Sequence, residues 1–200
     1  MSATATLSIR ELRRSIIDEI SPIVRFSPED AAMIARHRDL LTELGEPLVK
    51  MFYDTLFAHA PTRAIFRDSE RPAREETLRR WWSRLIGGPI DDDFWDWMTV
   101  VGLVHIERRV SNPMMIGIWG GIAILVGDHA ARQIGAAEAL QLQGAFIRFG
   151  QTLTSLVAES YLRSYLNAVA RSTGTSVGLL DSLARGEVDT LLAVARSQLG

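Results

Sequence analysis

Residues 100–119 read VVGLVHIERRVSNPMMIGIW, and this stretch decides the fold that we predict for the whole chain. It predicts one helix, a short polar break, and a second, very apolar helix that Pro113 opens. His105 lies on an apolar turn of the first helix, where Gly102 leaves room for a flat group to approach. The carbonyl of Val101, one turn earlier, can accept the Nδ1 proton and leave Nε2 free to bind a metal. The alternative is a histidine at the edge of a core, with its second nitrogen bonded to a carbonyl or to water.

The composition predicts one main helical domain. A chain of 200 residues with 47% hydrophobic residues can bury one sizeable core, and its many Ala, Leu, Arg and Glu residues favour helices. The net charge of −2 and the pI near 6.1 argue against a nucleic-acid partner. Cysteine is absent, which excludes disulfides, thiolate catalysis and cysteine-ligated zinc.

The hydropathy pattern predicts a cytoplasmic protein that does not cross a membrane. The N-terminus leads directly into the charged residues 10–14, which is not the pattern of a secretory signal. The longest apolar run, residues 114–127, contains four glycines and falls short of the ~20 residues that a membrane span needs.

Capping residues, breakers and the 3.6-residue period predict where the helices lie. Ser27-Pro28-Glu29-Asp30 is a strong helix start, and Asp91-Asp-Asp93 caps the segment that leads into the helix of His105. The remaining helices are predicted over residues 8–20, 27–44, 47–59, 70–86, 113–132, 136–170, 177–184 and 188–199, with a short helical turn at 62–66.

Three motifs make the chain resemble the sensor globins, the protoglobins and the globin domains of globin-coupled sensors. Gly102-Leu-Val-His105-Ile-Glu-Arg is similar to the stretch around the family's proximal haem ligand. Met51-Phe52-Tyr53 resembles the aromatic-Tyr pair above the other haem face, and Phe66-Arg67-Asp68 resembles a short helix of the family. The resemblance covers roughly residues 26–170. It departs from the family after Pro113, where Met114, Met115 and Ile116 replace aromatic residues.

The resemblance implies an all-α globin fold, a 3-over-3 helical sandwich, with an extra N-terminal helix and a C-terminal helical extension. It implies haem b (iron protoporphyrin IX) with His105 as the proximal iron ligand. Tyr53 would donate a hydrogen bond to bound dioxygen; the alternative is a core tyrosine bonded to a carbonyl. The other cofactor-binding candidates are Phe52, Thr77, Leu78, Trp81, Val101, Gly102, Met115 and Trp119. The arginines at 79, 80, 108 and 109 are candidates for the haem propionates, or form an exposed face.

The same resemblance implies a haem-based gas sensor rather than an enzyme, with dioxygen, carbon monoxide or nitric oxide as the ligand. The alternatives are a globin that turns over nitric oxide or peroxide, and a haem-free helical interaction module. We predict three segments: an N-terminal helix (1–25), the haem domain (26–171) and an extension or linker (172–200), with any output domain outside this chain. The helices 113–132 and 136–170 are predicted to form a homodimer, since Gly117 and Gly121 allow close approach of another helix.

Overall fold

A computed structural model describes residues 8–199, which form helices and connecting turns and contain no strand. This confirms the all-α prediction. The helices are α1 (Ile9–Glu19), α2 (Pro28–Arg36), α3 (Arg38–Glu43), α4 (Gly45–Ala58), α5 (Ala60–Arg63), α6 (Arg71–Gly87), α7 (Asp92–Arg108), α8 (Asn112–Ile134), α9 (Ala136–Thr173) and α10 (Val177–Leu199), with a 3-10 turn at Asp68–Glu70. The prediction that residues 1–7 carry no secretory signal lies outside the described residues.

Side-chain caps begin three of the helices where the sequence predicts them. Ser8 accepts from the backbone N–H of Glu11, and Ser27 accepts from that of Asp30, each within a reciprocal capping box. The carboxylate of Asp91 accepts from the N–H of Phe94 at 3.0 Å. These caps satisfy backbone donors that a helix start would otherwise leave without a partner.

Three predicted helix boundaries are wrong. The helix predicted over 27–44 is interrupted at His37, whose imidazole lies 3.0 Å from the carboxylate of Glu138 on α9. Gly45 starts α4 instead of ending the preceding helix, because Leu44 keeps a helical backbone there. The two short helices predicted on either side of Gly186 are one continuous helix, α10. A single glycine inside a helix costs only about 1 kcal/mol, so it does not have to end one.

The core is centred on α9, which packs against α1, α2, α7 and α8. Phe149 lies at this centre, and its ring contacts those of Phe26, Trp81, Trp95 and Trp119 at centroid distances of 5.4–6.2 Å. Such edge-on and tilted ring pairs stabilise a core beyond the area that they bury. Helix α4 packs on α6 across from this centre, and the space between the α4–α6 pair and the α7–α8 pair remains open.

Gly102 is buried where α7 crosses α9. A Cβ atom at this position would lie 2.0 Å from Oγ of Ser160 and 2.7 Å from the carbonyl oxygen of Val157. The expectation that Gly102 leaves room for a flat cofactor is therefore wrong. The glycine is required by the close packing of α7 against α9.

We expect Gly102→Ala to destabilise the fold by about 1–3 kcal/mol, because α7 and α9 must move apart to accept the methyl group. Thermal and urea unfolding measure this loss. Gly144→Ala on α9 is the matched control, since a Cβ there meets only the flexible end of Arg148 at 3.6 Å. The control should be stabilising by about 0.5–1 kcal/mol through helix propensity alone. Equal effects of the two substitutions would contradict the assigned role of Gly102.

Helix α1 is tied to α7 by a buried arginine. The side chain of Arg13 is 6% exposed and donates from Nε to Asp96 at 2.6 Å and from Nη1 to Asp92 at 2.9 Å. These carboxylates are four residues apart, so they lie on one face of α7. Leu12 and Ile16 from the same helix lie in the hydrophobic core. The helix predicted as an N-terminal addition therefore packs into the same core as the rest.

Two long helices carry much apolar surface. Helix α8 extends beyond the apolar run seen in the sequence: its 23 residues contain an 18-residue window with a mean hydropathy of 1.4, which is enough, by length and composition, for a membrane span. Its buried side nevertheless packs against α9, as in a core helix. Helix α10 buries none of its described residues and exposes leucines such as Leu183 and Leu191.

Candidate functional site

An apolar cavity of about 410 Å³ lies between α4 and α6 on one side and α7 and α8 on the other. A volume in this range is typical of sites for small organic ligands and cofactors. Nine of the ten residues predicted to contact the cofactor or its metal line the cavity: Phe52, Tyr53, Thr77, Leu78, Trp81, Val101, His105, Met115 and Trp119. Gly102 is the exception, for the packing reason given above. The role of the nine in binding stays a prediction.

On one wall of the cavity, α4 contributes Phe52 and Tyr53, whose rings contact edge to face at 5.2 Å. Tyr53 is 6% exposed, and its hydroxyl donates to the carbonyl oxygen of Arg74 at 2.8 Å. Burial raises the pKa of Tyr53 to about 12, so the phenol is neutral and keeps its proton at physiological pH. In the structure the hydroxyl proton is bonded to a backbone carbonyl of α6. This is the second of the two roles that the sequence left open for Tyr53, a core tyrosine bonded to a carbonyl.

The same wall continues along α6, where Leu78 and Trp81 face the cavity and Thr77 lies at its exposed edge. The hydroxyl of Thr77 donates to the carbonyl of Ala73 at 2.9 Å, within its own helix. The indole of Trp81 contacts that of Trp119 on α8 edge to face at 5.8 Å. This ring pair connects the two walls of the cavity with apolar surface.

The opposite wall carries His105, on the face of α7 that also presents Val101 and Arg108. The imidazole forms no hydrogen bond to any residue between 8 and 199, so the predicted bond to the carbonyl of Val101 is absent. Burial lowers the pKa of His105 below its usual 6.5, which keeps the ring neutral at pH 7. A neutral imidazole with free ring nitrogens in an apolar cavity is suited to bind a metal.

No group of three His, Cys, Asp or Glu side chains able to hold a metal ion occurs among the residues that the structure describes. A metal at His105 must therefore bring its other ligands with it. The iron of haem does so, because the porphyrin supplies four nitrogens and leaves one side for a single imidazole. The apolar walls also fit the flat hydrophobic ring. The residues present therefore fit a haem.

Two arginines stand at the polar edge of the cavity. Arg74 on α6 and Arg108 on α7 line it, and both pair with Glu70. Of the four arginines proposed from sequence for propionates, only Arg108 lines the cavity. Arg79 pairs with Glu46, while Arg80 and Arg109 are exposed and do not line the cavity.

Sequence reasoning missed several lining residues on α7. Trp97, Met98 and Val104 share the cavity face with His105. Trp97 and Met98 lie eight and seven residues before His105, which is about two helical turns, so a helical projection centred on His105 would have found these two. Val104 directly precedes the histidine and has no such signal. Arg74 had no such signal, because it is one of five arginines on α6.

Comparison with known proteins gives a family match. The family model described as Protoglobin matches residues 14–167, which is more than three quarters of the chain. No curated protein matches the sequence significantly.

Proposed function

Because the chain belongs to the protoglobin family, a family of haem-binding globins, we propose that its cavity holds haem b with His105 as the only protein ligand of the iron. We further propose that it binds dioxygen, carbon monoxide and nitric oxide reversibly and acts as a gas sensor. The observation that carries the proposal is the neutral imidazole of His105, which has no hydrogen-bond partner among residues 8–199 and lines an apolar cavity of about 410 Å³.

When bound, haem would supply an iron with one open coordination position, at which small gases bind reversibly. The protein residues have three tasks around it. His105 holds the group from one side and stays neutral because of burial. Leu78, Trp81 and Trp119 exclude water from the apolar interior. Tyr53 offers a phenol proton on the side opposite His105, provided that the proton is released from the carbonyl of Arg74.

The absorption spectrum of the purified protein tests the proposal. A Soret band that shifts on reduction and again on addition of carbon monoxide supports a haem site with an open coordination position. A protein that shows no Soret band after expression with added haem precursor, and takes up no haem afterwards, is instead a helical interaction module. Rapid steady turnover of nitric oxide or peroxide would favour the detoxifying role over sensing.

We also propose a homodimer through α8 and α9. On these helices, Ile116, Ile124, Leu140 and Ile147 form an exposed apolar face, with Leu140 69% exposed. Gly117 and Gly120 have open space where a side chain would begin. Gly121, chosen from sequence, instead faces Met51 of α4 at 3.9 Å. The close approach of a second copy is therefore proposed at Gly117 and Gly120.

Placing a charge on this face by Gly120→Asp should convert the dimer to monomers, because the carboxylate would be buried without a partner. Light scattering at micromolar concentration measures the change. Gly87→Asp is the control, since it adds the same charge at an exposed glycine with open space at the end of α6. A wild-type monomer, or a dimer that survives Gly120→Asp, would contradict this interface.

A further inference from the structure

The carboxylate of Glu70 bridges the two sides of the cavity at its edge. Glu70 is the last residue of the 3-10 turn before α6. Its Oε1 lies 3.4 Å from Nη1 of Arg108 on α7 and 3.6 Å from Nη2 of Arg74 on α6. One carboxylate oxygen is thus shared by two guanidinium groups from opposite walls.

Glu70 is ionised in this position. Its Oε2 accepts a hydrogen bond from the backbone N–H of Arg67 at 3.2 Å. This bond, followed by the nearby charges of Arg74 and Arg108, lowers the pKa of Glu70 from its usual value. The carboxylate is therefore a permanent anion at neutral pH.

The charges at this edge do not balance. Neither Arg74 nor Arg108 has another carboxylate within 4.0 Å in the part of the chain that the structure describes. Two positive charges therefore share one negative charge beside an apolar cavity. Such a site is suited to a further carboxylate, because guanidinium groups bind carboxylates with directed, charge-assisted hydrogen bonds.

We propose that Glu70 occupies the place of a haem propionate and competes with it for Arg74 and Arg108. This inference rests on the proposed haem site. Before haem binds, Glu70 holds the two arginines across the edge of the cavity. When haem is present, its propionates take over these arginines at the expense of Glu70. Glu70 thus sets how readily the protein releases haem.

The rate of haem loss from the haem-loaded protein to an excess of a haem-binding acceptor tests this proposal. Glu70→Gln removes the competing charge at constant size, so haem loss should slow by about two- to fivefold, the range of a partly exposed ion pair. Arg108→Gln should accelerate the loss by a similar factor. Glu76→Gln is the matched control, because this exposed carboxylate of α6 pairs with Arg79 and Arg80 and does not line the cavity.

The release rate of haem dimethyl ester distinguishes competition for the arginines from a general effect of the Glu70 substitution on the fold. The ester keeps the iron and the ring but lacks the propionate charges, so Glu70→Gln and the wild type should release it at equal rates. An equal slowing of haem and of its ester would overturn the proposal. Faster loss of haem from Glu70→Gln would also overturn it, since Glu70 would then position the arginines for the propionates. If the wild type binds neither haem nor its ester, the proposed function itself fails.

Discussion

His105→Ala should lower haem affinity by at least about a hundredfold and change the spectrum of any haem that remains. Even residues that only support a metal ligand contribute about 10–100-fold to affinity, and His105 is the proposed ligand itself. Removing the imidazole leaves a space in the wall formed by α7. Added imidazole should enter this space and restore the wild-type spectrum. Haem content per chain and the Soret position measure both effects.

The control for this prediction is His59→Ala, which removes an exposed imidazole at the end of α4. It should leave haem content and spectrum as in the wild type. Circular dichroism verifies that both variants keep their helices. Unchanged haem content and spectrum in His105→Ala would refute His105 as the ligand and would point to a haem site elsewhere.

Tyr53→Phe should raise the dioxygen dissociation rate about tenfold and change that of carbon monoxide much less. A hydrogen bond to a partly charged acceptor contributes about 1.5–3 kcal/mol, and bound dioxygen carries such partial charge. The phenol has only one proton, however, and must first give up its bond to the carbonyl of Arg74, which is worth about 0.5–1.5 kcal/mol. The difference is close to the ~1.4 kcal/mol that corresponds to a factor of ten.

Stopped-flow measurement of both dissociation rates decides between the two roles of Tyr53. Tyr161→Phe is the control, because its phenol stacks on Tyr165 and does not line the cavity. Small and equal changes for both gases in Tyr53→Phe would mean that the hydroxyl stays on the carbonyl of Arg74. The tyrosine would then be a buried structural residue.

Local features of the chain were predictable from sequence, and features that depend on contacts across the fold were not. The caps at Ser8, Ser27 and Asp91 are formed by residues three positions apart, so the sequence contains all that they need. The break at His37 coincides with a contact to Glu138, about a hundred residues away. No local pattern at His37 reveals that contact.

In the candidate site, too, local features were predictable from sequence and contacts across the fold were not. His105 and Val101 face the cavity as the period of α7 predicts, but Gly102 turns toward α9, and only the packing of these helices shows why it is a glycine. The bond from Tyr53 to Arg74 spans twenty-one positions and uses a backbone carbonyl. A carbonyl is present at every residue, so sequence does not distinguish the one that is used.

The buried Arg13 has a consequence for the transfer of this helical domain from one protein to another. The Protoglobin match begins at residue 14, just after Arg13, whose guanidinium bonds to both Asp92 and Asp96 on the helix of His105. A gene fusion that borrowed only the matched part would leave two like charges facing each other on that helix, together with an uncovered patch of core. Natural or engineered transfer of this module therefore has to carry α1 from its Ser8 cap onward, as an inseparable part of the transplanted unit.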